Sequence, residues 1–228
     1  MANKRSIVLF TTAAILTAFL VAQQVLVLRP GETATVAETL DIQDPDSISL
    51  ERVCGSPAVD AYAHVDYQCL LDSPTGVKYV EFYNASLAAG KEVPEWGTVY
   101  LENADIDGIA VGWGIGNTKA TGRECEQACL EHKPLEGGPL QALPCNTWTW
   151  CPFDVCWEPD AHSHSKGDCW LKFTEAPQNP EFNMKGQVSE AMRERHPEAP
   201  ETVQWTAGVL LVPGLPMTNG SWGPRADW

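Results

Sequence analysis

Cys145-Asn-Thr-Trp-Thr-Trp-Cys151 is the stretch that decides the fold, because its period-two alternation predicts a β-strand. Successive side chains of a strand point to opposite faces. We therefore expect Cys145 and Cys151 on one face and Trp148 and Trp150 on the other. Four further short strands are predicted by the same kind of pattern, over residues 98–101, 109–113, 169–173 and 205–212.

A helix is predicted before this strand. Thr121-Gly-Arg-Glu124 is a capping-box pattern, in which the threonine hydroxyl accepts from a first-turn amide and the glutamate reaches back. We expect the helix to run from about Gly122 to Lys133, because Pro134 stops it. Cys125 and Cys129 are four residues apart, so both sulfurs lie on one helix face. One helix with short strands predicts an α+β fold.

The chain has eight cysteines, and an even, clustered set is typical of disulfides in a secreted domain. They are Cys54, Cys69, Cys125, Cys129, Cys145, Cys151, Cys156 and Cys169. Cys54 and Cys69 are predicted to close a small loop of their own. A zinc site is the alternative, but the spacings lack paired C-x2-C knuckles. We therefore predict no metal, and the residues alone leave the pairing open.

The N-terminus predicts the compartment. Residues 7–28 are almost wholly apolar, long enough to cross a hydrocarbon layer of about 30 Å. Lys4 and Arg5 precede them, which places the bulk of the chain in the lumen or outside the cell. Poor cleavage sites after Ala18 and Ala22 favour a signal anchor over a cleaved signal peptide. The expectation is a single-pass type II membrane protein, or alternatively a secreted one.

The chain divides into five predicted segments: a signal anchor or signal peptide (1–29), an acidic stem (30–53), a disulfide-closed segment of unknown type (54–94), the main domain (95–214) and a tail (215–228). Within the third segment, residues 77–83 predict a strand. Residues 174–204 are rich in Pro and Glu and are predicted to form a long excursion, that is, a connection between two strands of the sheet, with one helical piece over 188–195.

Charge excludes one class of function. The formal net charge is −15, which repels phosphate backbones and argues against nucleic-acid binding. Two sequons, at Asn84 and Asn219, fit a lumenal location and predict a glycoprotein.

The ordered set of motifs resembles the PAN/apple family, and the variant found in green algae and plants in particular. The resemblance rests on Cys-x3-Cys on a helix, then Cys145 to Cys151, then Cys169-Trp-Leu-Lys172, then Trp205-Thr-Ala-Gly-Val209. It covers about residues 97–212. It implies a small antiparallel sheet that cradles one helix, with disulfides tying the two together.

The resemblance also implies a pairing. Carried over by position, it suggests Cys125–Cys169 and Cys129–Cys145. That leaves Cys151–Cys156 as a local clip, and Cys54–Cys69 outside the family pattern. For a domain with a modest core, each such bridge is expected to add about 2–4 kcal/mol of stability.

Nine tryptophans are present, and aromatic faces both fill small cores and anchor ligands. Core packing is the default interpretation. The candidates for ligand contact are Trp113, Trp148, Trp150 and Trp157, of which Trp157, in the loop after Cys156, is the best exposed candidate. The loops 152–168 and 112–120 are the expected ligand-binding loops.

Catalysis is not predicted. His162-Ser-His164, near Asp160 and Asp168, has residue types for a loose divalent ion, but the polar surroundings favour an exposed loop. Asp105-Ile-Asp107 has the Asp-x-Asp form of many glycosyltransferases, although it is too short to be specific. No convergent acid, base or nucleophile is visible, so we expect no enzyme, no cofactor and no catalytic residue.

The function expected from these observations is recognition of a glycan or a protein by an apple-like domain. The main alternative is a structural or accessory subunit, packed permanently in a membrane or cell-surface complex. A small type II lumenal enzyme is a weaker alternative.

Overall fold

The computed structural model describes Cys54 and residues 66–134, 143–219 and 221–222. The predicted signal anchor and stem lie outside these residues. None of the helices in the described ranges is long and apolar enough to cross a bilayer. The helices are α1 (Tyr67–Asp72), α2 (Pro74–Ala88), α3 (Gly122–Leu130) and α4 (Glu190–Arg195). The strands are β1 (Gly97–Glu102), β2 (Ala104–Ile106), β3 (Ile109–Gly112), β4 (Thr147–Trp150), β5 (Val155–Cys156), β6 (His164–Ser165), β7 (Cys169–Phe173), β8 (Glu181–Lys185), β9 (Thr206–Leu211) and β10 (Ser221–Trp222).

A five-stranded antiparallel sheet is the centre of the domain, with strand order β1-β9-β4-β7-β3. All five strands were predicted from the sequence. One face of the sheet carries α3, packed over β4, β7 and β9. We call this the helix face. Its core contains Trp148, Leu171 and Leu210, packed with the cysteines of α3. The predicted α+β class, with an antiparallel sheet cradling one helix, is confirmed.

Helix α3 begins as its capping box predicts. Thr121 Oγ1 accepts from the Glu124 amide at 3.2 Å, and the Glu124 carboxylate accepts from the Ala120 amide at 2.9 Å. The helix ends at Leu130, so the predicted end at Lys133 is wrong by three residues. A residue that precedes proline avoids the α conformation, which opens the last turn before Pro134.

Four disulfides hold the fold, and they are the pairs that the sequence analysis put forward: Cys54–Cys69, Cys125–Cys169, Cys129–Cys145 and Cys151–Cys156. Two of them join α3 to the sheet. Cys145 precedes β4, and its side chain lies in the same cluster as Trp148. The expectation that Cys145 and Trp148 face opposite ways is therefore wrong, because the alternation holds only within Thr147–Trp150.

The opposite face of the sheet packs on a smaller sheet with strand order β10-β8-β2. Ala207, Val209 and Leu211 of β9 meet Ile106 of β2 and Phe182 of β8 in a second core. Neither β2 nor β8 was predicted. Strand β8 lies inside the segment 174–204, which was predicted to be a connection. Its Glu and Asn residues interrupt the apolar pattern by which a strand is recognised. The predicted helical piece of that segment is confirmed as α4.

Residues 77–83 form part of helix α2, so the predicted strand is wrong. Ser73 caps the helix by accepting from the Gly76 amide at 3.0 Å, and Pro74 occupies its first turn. Tyr79 and Tyr83, one turn apart, are both buried. The Tyr79 ring stacks on Trp96 with centroids 5.5 Å apart. This tertiary packing overrides the strand preference of the β-branched and aromatic residues.

Both predicted sequon asparagines, Asn84 in α2 and Asn219, are exposed. Ser86, the third residue of the first sequon, is buried and donates to the Phe82 carbonyl at 2.9 Å. Glycosylation at either site stays a prediction.

Gly208 in β9 gives a test of helix-face packing. A methyl group at Gly208 would lie 2.5 Å from the buried Trp148 ring. We expect Gly208→Ala to lower the free energy of unfolding by about 1–3 kcal/mol, because the ring has no room to move. Urea denaturation measures the loss.

Gly97→Ala is the matched control, since Gly97 also lies in a strand and its added methyl would meet nothing closer than 3.5 Å. It should change stability by less than about 1 kcal/mol. Equal losses in the two variants would contradict the packing of Trp148 on Gly208.

Candidate functional site

A pocket of about 450 Å³ opens on the sheet face opposite α3. Its floor includes Thr149 of β4 and Trp170 and Lys172 of β7, and its walls include Trp205 and the segment 158–164. Alternation along β7 explains the floor. Cys169 and Leu171 point to the helix face, so Trp170 and Lys172 point the other way.

A buried ion pair lies at the base of this pocket. Lys172 Nζ donates to Asp105 Oδ1 at 3.2 Å and to the Ile106 carbonyl at 2.6 Å. Asn183 Nδ2 donates to the other oxygen of Asp105 at 2.8 Å. The side chains of Asp105 and Lys172 are 1% and 8% exposed. Buried charges are costly unless they are paired and hydrogen-bonded, and this pair meets both conditions.

Glu158, Asp160 and His164 form a cluster at the wall of the pocket, which we call the carboxylate–histidine cluster. His164 Nε2 lies 3.2 Å from Asp160 Oδ1 and 3.5 Å from Glu158 Oε2. The local fold brings them together. The Cys151–Cys156 disulfide and the pairing of Cys156 with His164 between β5 and β6 close the loop that carries both carboxylates.

The cluster shifts the protonation of its members. Burial, together with the charge of Asp105, raises the pKa of Glu158 to about 8, although Lys172 and His164 oppose the shift. Burial also acts to raise the pKa of Asp160, but hydrogen bonds from His164 and the His162 amide outweigh it and hold that pKa below its usual value. For His164, burial acts to lower the pKa, yet Asp160 and Glu158 keep it above the usual value.

An aromatic wall completes the site. Trp113 is 56% exposed and its ring meets Trp170 edge to face, with centroids 4.5 Å apart. The His162 ring packs against Trp113 at 5.7 Å. Gly114 lies directly against the Trp170 ring, where any side chain would collide with it. The Trp113 ring is therefore held in place by Trp170, with its exposed part facing solvent.

Of the four tryptophans predicted to contact a ligand, Trp113 lines the pocket. Trp148 is 1% exposed, so its prediction as a ligand contact is wrong. Trp150 is half-buried on the helix face and donates to the Lys119 carbonyl at 3.0 Å. Trp157 is half-buried beside Trp205, so it is less exposed than expected.

The segment 160–168 is only partly the exposed loop that was predicted. His162 is exposed, but His164 is 2% exposed and lies between the Trp170 and Trp205 rings. Asp168 is not part of the cluster, and its carboxylate accepts from the Ser165 amide at 2.8 Å. Glu158 was missed as a site residue. A sequence signal existed, since Glu158, Asp160 and His164 share one short loop between two disulfide cysteines.

Asp105, the first residue of the Asp-x-Asp form noted in the sequence, lies buried in β2. Nothing in a single sequence pairs it with Lys172, which lies 67 residues away.

No protein-family model, no curated protein and no solved structure matches the chain. The resemblance to the PAN/apple family remains a prediction.

Removal of one partner of the buried ion pair is the sharpest test of the pocket floor. Lys172→Met leaves Asp105 charged and buried, so we expect the free energy of unfolding to fall by about 3–5 kcal/mol. Chemical denaturation at neutral pH measures it.

The double variant Asp105→Asn with Lys172→Met removes both charges and keeps similar volumes. It should recover most of the lost stability. A double variant no more stable than Lys172→Met alone would show that the ion pair is not what compensates Asp105.

Proposed function

We propose that the chain is a non-catalytic recognition protein that binds a neutral glycan in the pocket beside Trp113. The observation that carries this proposal is an exposed tryptophan ring, held rigidly at the mouth of a pocket whose walls bear hydrogen-bonding side chains. Pockets that bind small ligands combine apolar walls with a few placed polar groups in this way.

Size and chemistry favour a sugar. A volume of about 450 Å³ accommodates one or two sugar residues. The apolar face of a sugar ring packs on an aromatic ring such as Trp113, while the hydroxyl groups need both donors and acceptors. Asp160 supplies acceptors, and burial raises the pKa of Glu158 to about 8, which favours the protonated form that can donate as well.

Charge favours a neutral ligand. Asp105 and Lys172 balance each other, and Asp160 Oδ1 is paired with His164 Nε2 at 3.2 Å. The domain around them is strongly acidic, with a net charge of −15 for the chain. An anionic ligand would meet long-range repulsion and no unbalanced positive charge in the pocket.

The frame around the pocket lowers the entropic cost of binding. The Cys151–Cys156 disulfide and the β5–β6 pairing hold the loop that carries the cluster. Trp113 rests on Trp170, which the central sheet fixes. A preorganised site loses less conformational freedom when a ligand docks.

The location outside the cytosol belongs to the same proposal. Four disulfides are typical of an oxidising compartment, and the apolar residues 7–28 supply a route across the membrane, as an anchor or as a signal peptide.

A protein ligand is the second candidate, and one observation favours it. Phe153 and Val155, in the loop 152–155 of the disulfide clip, are 52% and 63% exposed. Exposed apolar side chains on a rigid loop are typical anchors for a protein partner.

Binding of the full chain to a panel of neutral and charged oligosaccharides tests the first proposal. Calorimetry on the best neutral sugar should show that Trp113→Ala lowers the affinity at least about 10-fold, because the stacking surface is lost. Chelator present throughout keeps metal ions out of this measurement.

Phe153→Ala is the matched control, since Phe153 is about as exposed as Trp113 but does not line the pocket. It should leave sugar affinity unchanged. Binding of no neutral sugar, or an equal loss in both variants, would overturn the glycan proposal. Loss of a protein partner in Phe153→Ala alone would favour the second candidate.

A further inference from the structure

We propose that Glu158, Asp160 and His164 bind a zinc ion, with one coordination position open to the pocket. Glu158 and Asp160 also serve the proposed glycan, but zinc binding requires neither Trp113 nor a sugar, so the two proposals are tested in separate titrations. The donor set is the first argument. One imidazole nitrogen and two carboxylate oxygens suit Zn²⁺, whereas Ca²⁺ and Mg²⁺ prefer oxygen ligands alone.

The spacing of the ligand atoms is the second argument. In a tetrahedral site with bonds of about 2.1 Å, neighbouring ligand atoms lie about 3.4 Å apart. His164 Nε2 lies 3.2 Å from Asp160 Oδ1 and 3.5 Å from Glu158 Oε2. All three ligand atoms lie within 4.8 Å of one another. The two distances to His164 Nε2 are therefore close to those of a tetrahedral zinc site.

An independent observation concerns Thr149, which lines the same pocket. Its side chain is 1% exposed, and its hydroxyl has no hydrogen-bond partner among the described residues. A buried hydroxyl without a partner carries a free-energy penalty that a bound polar group would remove. The unpartnered hydroxyl therefore indicates that the pocket holds a polar ligand or water when occupied.

The surroundings of His164 favour a metal site over a surface ion pair. Its ring is packed between Trp170 and Trp205, at centroid distances of 5.9 and 5.1 Å. Packing of this kind fixes the ring orientation, which keeps Nε2 directed at the two carboxylates. The Asp160 side chain is 25% exposed, so it lies on the solvent side of the cluster and leaves a path for the ion.

The disulfides simplify the choice of ligands. Every cysteine in the described residues is paired, so the thiolates that usually compete for zinc are absent there. The zinc site considered from the sequence used cysteines and is ruled out by this pairing. The site proposed here uses none of them.

Calorimetric titration of the full chain with ZnCl₂, after treatment with chelator, tests the proposal at pH 8, where protons compete less with the ion than they do at neutral pH. We expect one ion per chain. His164→Gln and Asp160→Asn should each weaken zinc binding at least about 100-fold, because each removes a ligand. Excess Ca²⁺ should not displace the ion.

Two matched controls remove one candidate donor each from the same region. His162→Gln removes an exposed imidazole two residues from His164, and Asp154→Asn removes an exposed carboxylate. Both should bind zinc like the unmodified chain. Circular dichroism identifies any misfolded variant, and Asp160→Asn remains informative if the buried His164→Gln fails to fold.

The proposal is overturned if zinc does not bind saturably, or if Asp160→Asn and Asp154→Asn bind it equally well. Neither result tests the glycan proposal, because the sugar titrations contain chelator and the zinc titrations contain no sugar.

Discussion

Two disulfides hold helix α3 against one face of the central sheet, and the rest of the structure depends on them. Cys125 and Cys129, one helical turn apart, reach Cys169 at the start of β7 and Cys145 just before β4. A nine-residue helix is too short to be stable alone in water. The sulfurs therefore fix where the helix lies, and so which face of the sheet it covers.

Strand β7 transmits that constraint to the pocket. With Cys169 bound to the helix, alternation directs Trp170 and Lys172 to the opposite face. Trp170 then supports the exposed Trp113, and Lys172 holds Asp105. The same disulfide that anchors the helix thus sets the floor of the candidate binding site. The local clip between Cys151 and Cys156 positions the cluster above that floor.

The sequence was sufficient where the signal was local. The alternation of side chains predicted the five central strands, and the capping box that begins at Thr121 predicted the start of α3. Prediction from local sequence failed where tertiary packing determines the secondary structure. The β-branched and aromatic residues of α2 suggested a strand, but in the fold Tyr79 of this helix packs on Trp96. The site depends on contacts between distant residues, such as Asp105 with Lys172, and on the burial of His164. Neither is encoded in a local pattern.

Peptide mapping of the native chain under non-reducing conditions tests the central constraint most directly. Free thiols are alkylated first. A glutamate-specific protease then separates Cys125 from Cys129 at Glu126, and chymotrypsin separates Cys145 from Cys151. The account predicts no alkylated cysteine, with Cys125 linked to Cys169 and Cys129 linked to Cys145. Free thiols at these positions, or a link from Cys125 to Cys145, would contradict it.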